Sequence, residues 1–526
     1  MLFTSYEFLA FLALVFLIYF VAPKKMQWVV LLVASYAFYL FSGAKNLIFI
    51  AATTLSSWAV ARVMEKNTVN AADFVEANRE TMDKEARKAH KAAAKKKNFR
   101  ILIAGLVFNF LILAVLKYTG FTIVSFNAIF GTGVRVPDLL LPLGISFYTF
   151  RTMGYIIDVY RGKAAAQKNL FKLALFTSFF PQIVQGPISR YSELEGELFA
   201  SHRFDGRAFF SGLQRILWGY FKKLVIADRI LIVMKNLLGD TAEYDGVYVF
   251  LLIILYSFEI YADFTGGIDI TIGIAESMGI RLAENFRHPF TSKSTKEYWN
   301  RWHITMGSWF TDYIFYPLSV TKTMQKVSKN SRKFFGNAIG KRIPVYIATI
   351  VTWYLTGLWH GAGWNFIVWG LLNCLVILVS QELEPLYKKF RAKFPRLVAS
   401  RGYGCFMIVR TFLLMGLIRS LDCYRDVTTT FYKWGTMLTT FNFGEVAKGL
   451  GKIGLTTDNI IIITAGIAVL SLVNLLNLRC SDKLRERLVG REWISYMLFA
   501  LVLVATLLFG AYGIGYDASQ FIYNQF

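Results

Sequence analysis

Long apolar runs separated by short polar intervals dominate this chain. Phe8 to Val21, Trp28 to Phe41 and Asn46 to Val63 open the series, and Ile101 to Leu116, Leu139 to Ile157, Phe209 to Leu224, Val247 to Tyr261 and Pro344 to Leu358 continue it. Asn365 to Val379, Cys405 to Ile418, Ile460 to Leu475 and Trp493 to Tyr512 complete it. A helix rises about 1.5 Å per residue and the hydrocarbon core of a bilayer is about 30 Å thick, so runs of this kind predict membrane-crossing helices. The first two are short for a perpendicular crossing. Hydropathy does not separate full crossings from re-entrant pieces, and the pattern predicts an all-α polytopic membrane protein with roughly 11–13 transmembrane and re-entrant helices.

The polar intervals set an orientation. Lys24 and Lys25 follow the first run and the highly charged residues 64–100 follow the third, so the positive-inside rule puts both in the cytoplasm and the N-terminus outside. Arg161 and Lys163 then fall inside as well. Residues 64–100 are rich in Ala and lack Gly and Pro, and spacings such as Glu80 to Lys84 predict a solvated helical loop. Two further basic stretches, Lys322 to Arg342 and Tyr387 to Arg396, read as cytoplasmic loops. Between Tyr261 and His303 the pattern degrades: Gly266-Gly267 interrupts the apolar run, and the segment that follows is polar and aromatic. Irregular backbone at bilayer depth survives only inside protein or beside a wet cavity.

Composition supports the membrane reading. Of 526 residues, 55% are hydrophobic, 16% aromatic and only 17% charged, with a mean hydropathy of +0.44. The formal charge of +24 fits loops facing anionic inner-leaflet lipid, a partner with an acidic surface, or both. Nucleic acid is excluded as a partner, because the basic residues are scattered between apolar runs and form no module with aromatic stacking positions. No removable signal peptide is expected: MLFTSYEF carries no basic leader. Cys374, Cys405, Cys423 and Cys480 form no CxxC pair and are expected to be structural thiols. No internal repeat suggests the two related halves of a transporter.

Two of the five histidines stand out. Trp302-His303 and Trp359-His360 lie in apolar, aromatic sequence, where an imidazole without polar company is costly. His360, followed by Gly361 and Gly363, is a candidate general base; the alternative is a buried histidine that ties helices together. His303 can orient a substrate, support the other imidazole or hold structure. His90, His202 and His288 receive no role. Glu259 and Asp263 share a helical face and, with Asp269, lie in apolar sequence where an isolated carboxylate costs about 2.5–3.5 kcal/mol. They can neutralise Lys or Arg, orient a histidine or conduct ions. Gln185-Gly186-Pro187 reads as a turn. No metal site is expected, since neither histidine has a partner at a spacing such as H-E-x-x-H, and no G-x-S-x-G nucleophile is present. What remains is histidine-centred acyl or proton transfer in which the substrate supplies the nucleophile.

Several ordered motifs carry a resemblance: LPLGISFYTF at Leu141 to Phe150, QGPI at Gln185 to Ile188, YADFTGG at Tyr261 to Gly267, ENF at Glu284 to Phe286, EYWNRWHITMGSWFTDYIFYPL at Glu297 to Leu318, and LWHGAGWNFIVWGLLN at Leu358 to Asn373. Together they resemble the membrane-bound O-acyltransferase family, in particular its bacterial branch that includes the alginate O-acetyltransferase membrane subunit. The resemblance implies a funnel of helices around a central tunnel, with His360 as catalytic histidine and His303 at the position of the second. Trp302, Trp359, Asp263, Asn285 and Gln185 enter as supporting residues. The implied division is 1–63 for N-terminal transmembrane helices, 64–100 for the charged loop, 101–420 for the catalytic core and 421–526 for C-terminal transmembrane helices and tail.

The same resemblance implies transfer of an acyl group, acetyl first among candidates, from a cytosolic thioester toward an extracytoplasmic envelope polysaccharide, at a bacterial inner membrane. The donor would be acetyl-CoA or another acyl thioester, with no permanently bound cofactor. The partners implied are an extracytoplasmic acetyltransferase or polysaccharide-modifying protein, membrane lipid, and, in a second version, an acyl carrier protein. The terminal Phe521-Ile522-Tyr523-Asn524-Gln525-Phe526 looks like an F-x-Y-x-x-F motif, in which Tyr523 would relay the acyl group; the alternative is an interfacial aromatic anchor. Two competing functions are D-alanyl transfer from a carrier protein toward teichoic acid and, from another class, an ion-coupled transporter.

Overall fold

The computed structural model describes residues 3–239, 243–480, 484 and 491–512, and every regular element among them is helical. Among the described residues seven helices are long and apolar enough to cross a membrane, with Tyr6–Val21 a shorter apolar one. The protein is an all-α multi-pass membrane protein. By internal contacts the chain divides into two units, one of Met1–Gly212 with Ile274–Ala283 and one of Leu213–Gly273 with Glu284–Phe526.

The first unit opens with α1 (Tyr6–Val21), α2 (Gln27–Leu40), α3 (Leu47–Ala77) and α4 (Lys84–Phe130). Ser5 caps α1 by accepting the Phe8 N–H, and Asp83 caps α4 by accepting from Ala86 at 2.6 Å. Residues 64–100 therefore form the ends of two long helices joined by a tight turn at 78–83, rather than a helical loop of their own. Glu80 falls in that turn, so the expected helical spacing of Glu80 to Lys84 is broken by the cap at Asp83. α3 and α4 approach closely: a Cβ on Gly105 would lie 2.8 Å from a Val60 methyl. Buried amides tie the pair. Asn98 donates to the Met64 carbonyl at 3.0 Å and to the Thr68 hydroxyl at 2.9 Å. Small residues and interhelical amides are the usual means of association where lipid removes the hydrophobic drive.

α5 (Ile145–Arg161), α6 (Leu170–Ser178), α7 (Phe180–Gln185) and α8 (Tyr191–Leu198) complete this unit's core. The expected run Leu139 to Ile157 is helical only from Ile145, because Pro142 and Gly144 set the start and Gly144 takes φ +68°. A Cβ at Gly144 would fall 2.1 Å from the Ile183 carbonyl oxygen, so this glycine also lets α7 approach.

The second unit contains the π-helix Phe221–Ala227 after α9 (Gly206–Tyr220), then α10 (Asp228–Gly239) and most of α11 (Val247–Ser277). α11 runs without a break through Gly266-Gly267, against the expected interruption. Those glycines serve packing: a Cβ at Gly219 would meet the Gly266 carbonyl oxygen at 2.6 Å, and a Cβ at Gly266 would meet the Gly219 carbonyl at 2.9 Å. Two helix backbones touch here, and the helix continues because its own hydrogen bonds are intact.

Short helices α12 (Thr295–Arg301) and α13 (Ile304–Phe310) follow, then a π-helix at Thr311–Phe315 and α14 (Tyr316–Ser319). The basic stretch after Lys322 is helical, α15 (Lys322–Gly340), capped by Thr321 and kinked at Gly336, which takes φ +73°. α16 (Ile343–His360) and α17 (Trp364–Glu382) form a tight hairpin. α18 (Glu384–Lys393), α19 (Pro395–Val398), α20 (Arg401–Tyr424), α21 (Val427–Thr439), α22 (Phe443–Gly449), α23 (Thr457–Arg479) and α24 (Glu492–Phe509) complete the unit. α23 and α24 present Leu472, Leu475, Leu501, Leu507 and Leu508 outward, the apolar exterior that a bilayer solvates. α11 is the most buried of the seven long helices.

Candidate active site

The irregular segment after α11 builds the floor of the site. Glu284 receives both Nη groups of Arg215, at 2.7 and 2.6 Å, while Arg215 Nε donates to Asp269 at 2.9 Å. Lys222, in the π-helix, adds a second bond to Asp269 at 2.5 Å. A planar guanidinium paired at two oxygens fixes orientation as well as charge. The next residue, Asn285, is fully buried. Its Oδ1 accepts the Thr305 N–H at 3.0 Å and the Thr305 hydroxyl at 2.9 Å, and lies 3.3 Å from His303 Nδ1. The Asn285 carbonyl accepts the Ile304 N–H at 3.0 Å. One residue thus accepts the first two N–H groups of α13, through its side chain and its backbone carbonyl, where His303 supplies no side-chain cap.

His303 occupies the residue before α13 with φ +47°, in the left-handed region. Asn285 and the aromatic packing hold it there. Its ring meets the edge of Phe264 at 4.9 Å and of Trp359 at 5.9 Å between centroids, and it is 0% exposed. Trp302 beside it stacks on Tyr298 at 5.6 Å, takes the edge of Phe286 at 5.0 Å and carries the Arg419 guanidinium 4.1 Å from a ring centroid.

His360 is the last residue of α16 and, unlike His303, is only half-buried. The hairpin that places it depends on glycine. A Cβ at Gly357 would meet the Phe366 carbonyl at 2.4 Å, one at Gly370 the Trp353 carbonyl at 2.4 Å, and one at Gly361 the Phe366 ring at 2.0 Å. The imidazole packs edge-on to Trp369 at 4.7 Å and to Trp359 at 5.1 Å. Trp359 therefore touches both imidazoles. The two Trp-His steps, 57 residues apart in sequence by their numbering (360 minus 303), converge on this one indole.

The structure brings together Trp302, His303, Asn285, Trp359 and His360. Asp263 is engaged elsewhere in the same unit: it accepts from Lys223 at 2.6 Å, and Lys223 also lies 2.8 Å from Asp228. Gln185, buried at the end of α7, belongs to the other unit. Tyr523 lies outside the described residues. Reading the sequence overlooked Arg419, Trp369, Phe264 and the Arg215–Asp269–Glu284 cluster. An arginine at the end of an apolar run signals only a snorkelling side chain, and nothing local announces that Arg419 crosses to Trp302.

The sequence model of the membrane-bound O-acyltransferase family matches residues 163–421, a span that holds both Trp-His steps. The probable alginate O-acetylase of Azotobacter vinelandii is 32% identical over 73% of this chain and 69% of its own length. This chain belongs to the membrane-bound O-acyltransferase family. The peptidoglycan O-acetyltransferase of Helicobacter pylori is 31% identical over 57% of this chain and 58% of the relative. The teichoic acid D-alanyltransferase of Bacillus subtilis is 30% identical over 48% and 62% respectively. The protein is a membrane O-acyltransferase, an enzyme that draws an acyl group from a donor and delivers it to oxygen.

Proposed function

We propose that this enzyme moves an acetyl group from a cytosolic thioester to a hydroxyl destined for an envelope polysaccharide, with His360 as general base. The observation that carries the assignment is the difference between the two residues: His303 is 0% exposed, while His360 ends its helix half-buried beside the same indole, although its Nε2 is itself buried. A base must reach the proton that it takes. One ring nitrogen of His360 accepts the proton of the acceptor hydroxyl as its oxygen attacks the thioester carbonyl carbon. The C–S bond of the tetrahedral intermediate then breaks, and the imidazolium returns the proton to the departing thiolate. His303, held by Asn285 and packed on Trp359, positions the indole against which His360 rests.

The names of the alginate and peptidoglycan relatives support acetyl as the group and a polysaccharide of the bacterial envelope as destination; in this reading the donor is acetyl-CoA or another acyl thioester. Delivery through an extracytoplasmic transferase at the inner membrane completes the proposal, with Tyr523 as relay. Removing residues 521–526 tests the relay: acylation retained at normal protein abundance sinks it. A second reading has the D-alanyltransferase relative behind it. In that reading the donor is an acidic carrier protein, and the basic face of α15 supplies the charge to meet it.

The deciding experiment is His360→Ala and His360→Gln in membranes of matched protein content, with ester-linked acetate on the envelope glycans measured by mass spectrometry. A general base contributes about 10²–10⁴-fold, so transfer should fall by that factor. Unchanged acylation would remove His360 from the chemistry.

A further inference from the structure

α5 carries a charge that no described residue answers. Arg151 is 3% exposed, its guanidinium carbon lies 4.5 Å from the centroid of the Phe176 ring, and none of its three guanidinium nitrogens has a hydrogen-bond partner among the described residues. No ion pair among those residues includes it. The surroundings are aromatic. Phe176 touches the ring of Tyr191 at 5.1 Å, and Tyr191 touches Tyr155, one turn along α5 from Arg151, at 4.8 Å. The nearby phenols already serve Gln167: Tyr155 accepts its backbone N–H at 2.7 Å, and Tyr191 accepts its side-chain amide at 2.7 Å. Each phenol oxygen accepts a bond from Gln167, and neither is bonded to the guanidinium.

A guanidinium cannot shed its proton at neutral pH, so Arg151 stays charged wherever it is placed. The face of one benzene ring recovers only part of the hydration that burial removes. Buried charges persist in proteins when an opposite charge meets them, and five N–H groups in a planar fork match the tetrahedral oxygens of a phosphate. We propose that Arg151, on the aromatic wall of Phe176, Tyr155 and Tyr191, is the anchor of a binding site for a phosphate ester. That chemistry has two sources at a membrane, the nucleotide phosphates of a thioester donor and the headgroup of a phospholipid. The first would deepen the reading of the donor given above. The site is read by binding, not turnover, so its failure would leave His360 untouched, and the failure of His360 would leave it standing.

The test uses the full chain purified in detergent, with melting temperature followed against coenzyme A and, separately, against short-chain phosphatidylglycerol. Wild type should show a saturable rise with at least one probe. A response to coenzyme A identifies the donor as source, and a response to phosphatidylglycerol identifies lipid; either supports the site. Arg151→Gln should weaken the responding probe at least tenfold, and Arg151→Lys should weaken it less, because a point charge remains without the fork. Unliganded Arg151→Gln should melt no lower than wild type, since an amide replaces an uncompensated charge. No saturable shift with either probe in wild type, a decision that needs no variant to fold, would overturn the proposal. So would probe binding by Arg151→Gln within twofold of wild type.

Discussion

Arg419 lies over the indole of Trp302, with its guanidinium carbon 4.1 Å from a ring centroid, and donates to the Tyr298 hydroxyl at 2.9 Å. Tyr298 in turn stacks nearly parallel to Trp302, at 12° and 5.6 Å between centroids. One buried cation thereby fixes the residue that precedes His303. A desolvated cation over an indole contributes about 2 kcal/mol, and the planar Arg419 guanidinium covers the ring while it donates to Tyr298. Arg419→Lys should therefore reduce acyl transfer by about 10-fold at equal abundance, the loss expected when a planar, stacked guanidinium becomes a point charge. Initial rates in matched membranes check it; a rate equal to wild type would mean that Trp302 is held by its aromatic neighbours alone.

His303 takes φ +47° before α13. Asn tolerates the left-handed region, whereas a β-branched residue there costs about 1–2 kcal/mol and crowds the backbone. His303→Asn should accumulate like wild type, and His303→Val should be destabilised by at least that amount. Melting temperatures of the two variants in detergent should separate in that order.

Asn285 satisfies α13 from outside the helix, accepting from Thr305 twice. Asn285→Ala removes the acceptor from buried donors and should cost about 1–3 kcal/mol. Asn285→Asp keeps the acceptor and should recover part of the loss. Protease sensitivity near residues 301–310 is the measurement, with faster cleavage expected in the alanine variant.

Lys223 lies between Asp263 at 2.6 Å and Asp228 at 2.8 Å, and its side chain is 1% exposed. Removing a buried partner leaves charge uncompensated, at about 3–5 kcal/mol. Lys223→Met should reduce folded protein in membranes severely, and Lys223→Met combined with Asp263→Asn should restore part of it. An additive double variant would mean that the pair is not coupled.

Glycines at the helix contacts give a paired comparison. At Gly370 an added methyl would fall 2.4 Å from the Trp353 backbone carbonyl, while at Gly435, inside α21, it would meet nothing within 4 Å. Gly370→Ala should cost about 1–3 kcal/mol through overpacking. Gly435→Ala should stabilise by about 0.4–1 kcal/mol by restricting the unfolded chain. Equal melting temperatures for the two would contradict the close approach of α16 and α17.

Much of this protein was legible in one dimension. Hydropathy and length are properties of consecutive residues, so the runs at Val247 to Tyr261, Cys405 to Ile418 and Ile460 to Leu475 each appear as helices, and the ordered motifs around His303 and His360 pointed to the family that the relatives establish. Partnership was not legible. Asn285 meets a residue 20 positions away, Lys223 one 40 away and Arg419 one 121 away, and no periodicity records which side chain crosses to which. Gly266 misled for the same reason: its sequence neighbours suggest a break, and only the backbone of Gly219 across the contact explains why a missing side chain keeps the helix intact. The sequence by itself determined that the chain is helical, lives in a membrane and carries two histidines behind indoles. Tertiary structure alone decided that His303 is fully buried and His360 only half-buried, because burial is set by what distant segments pack over a residue, not by its neighbours in sequence.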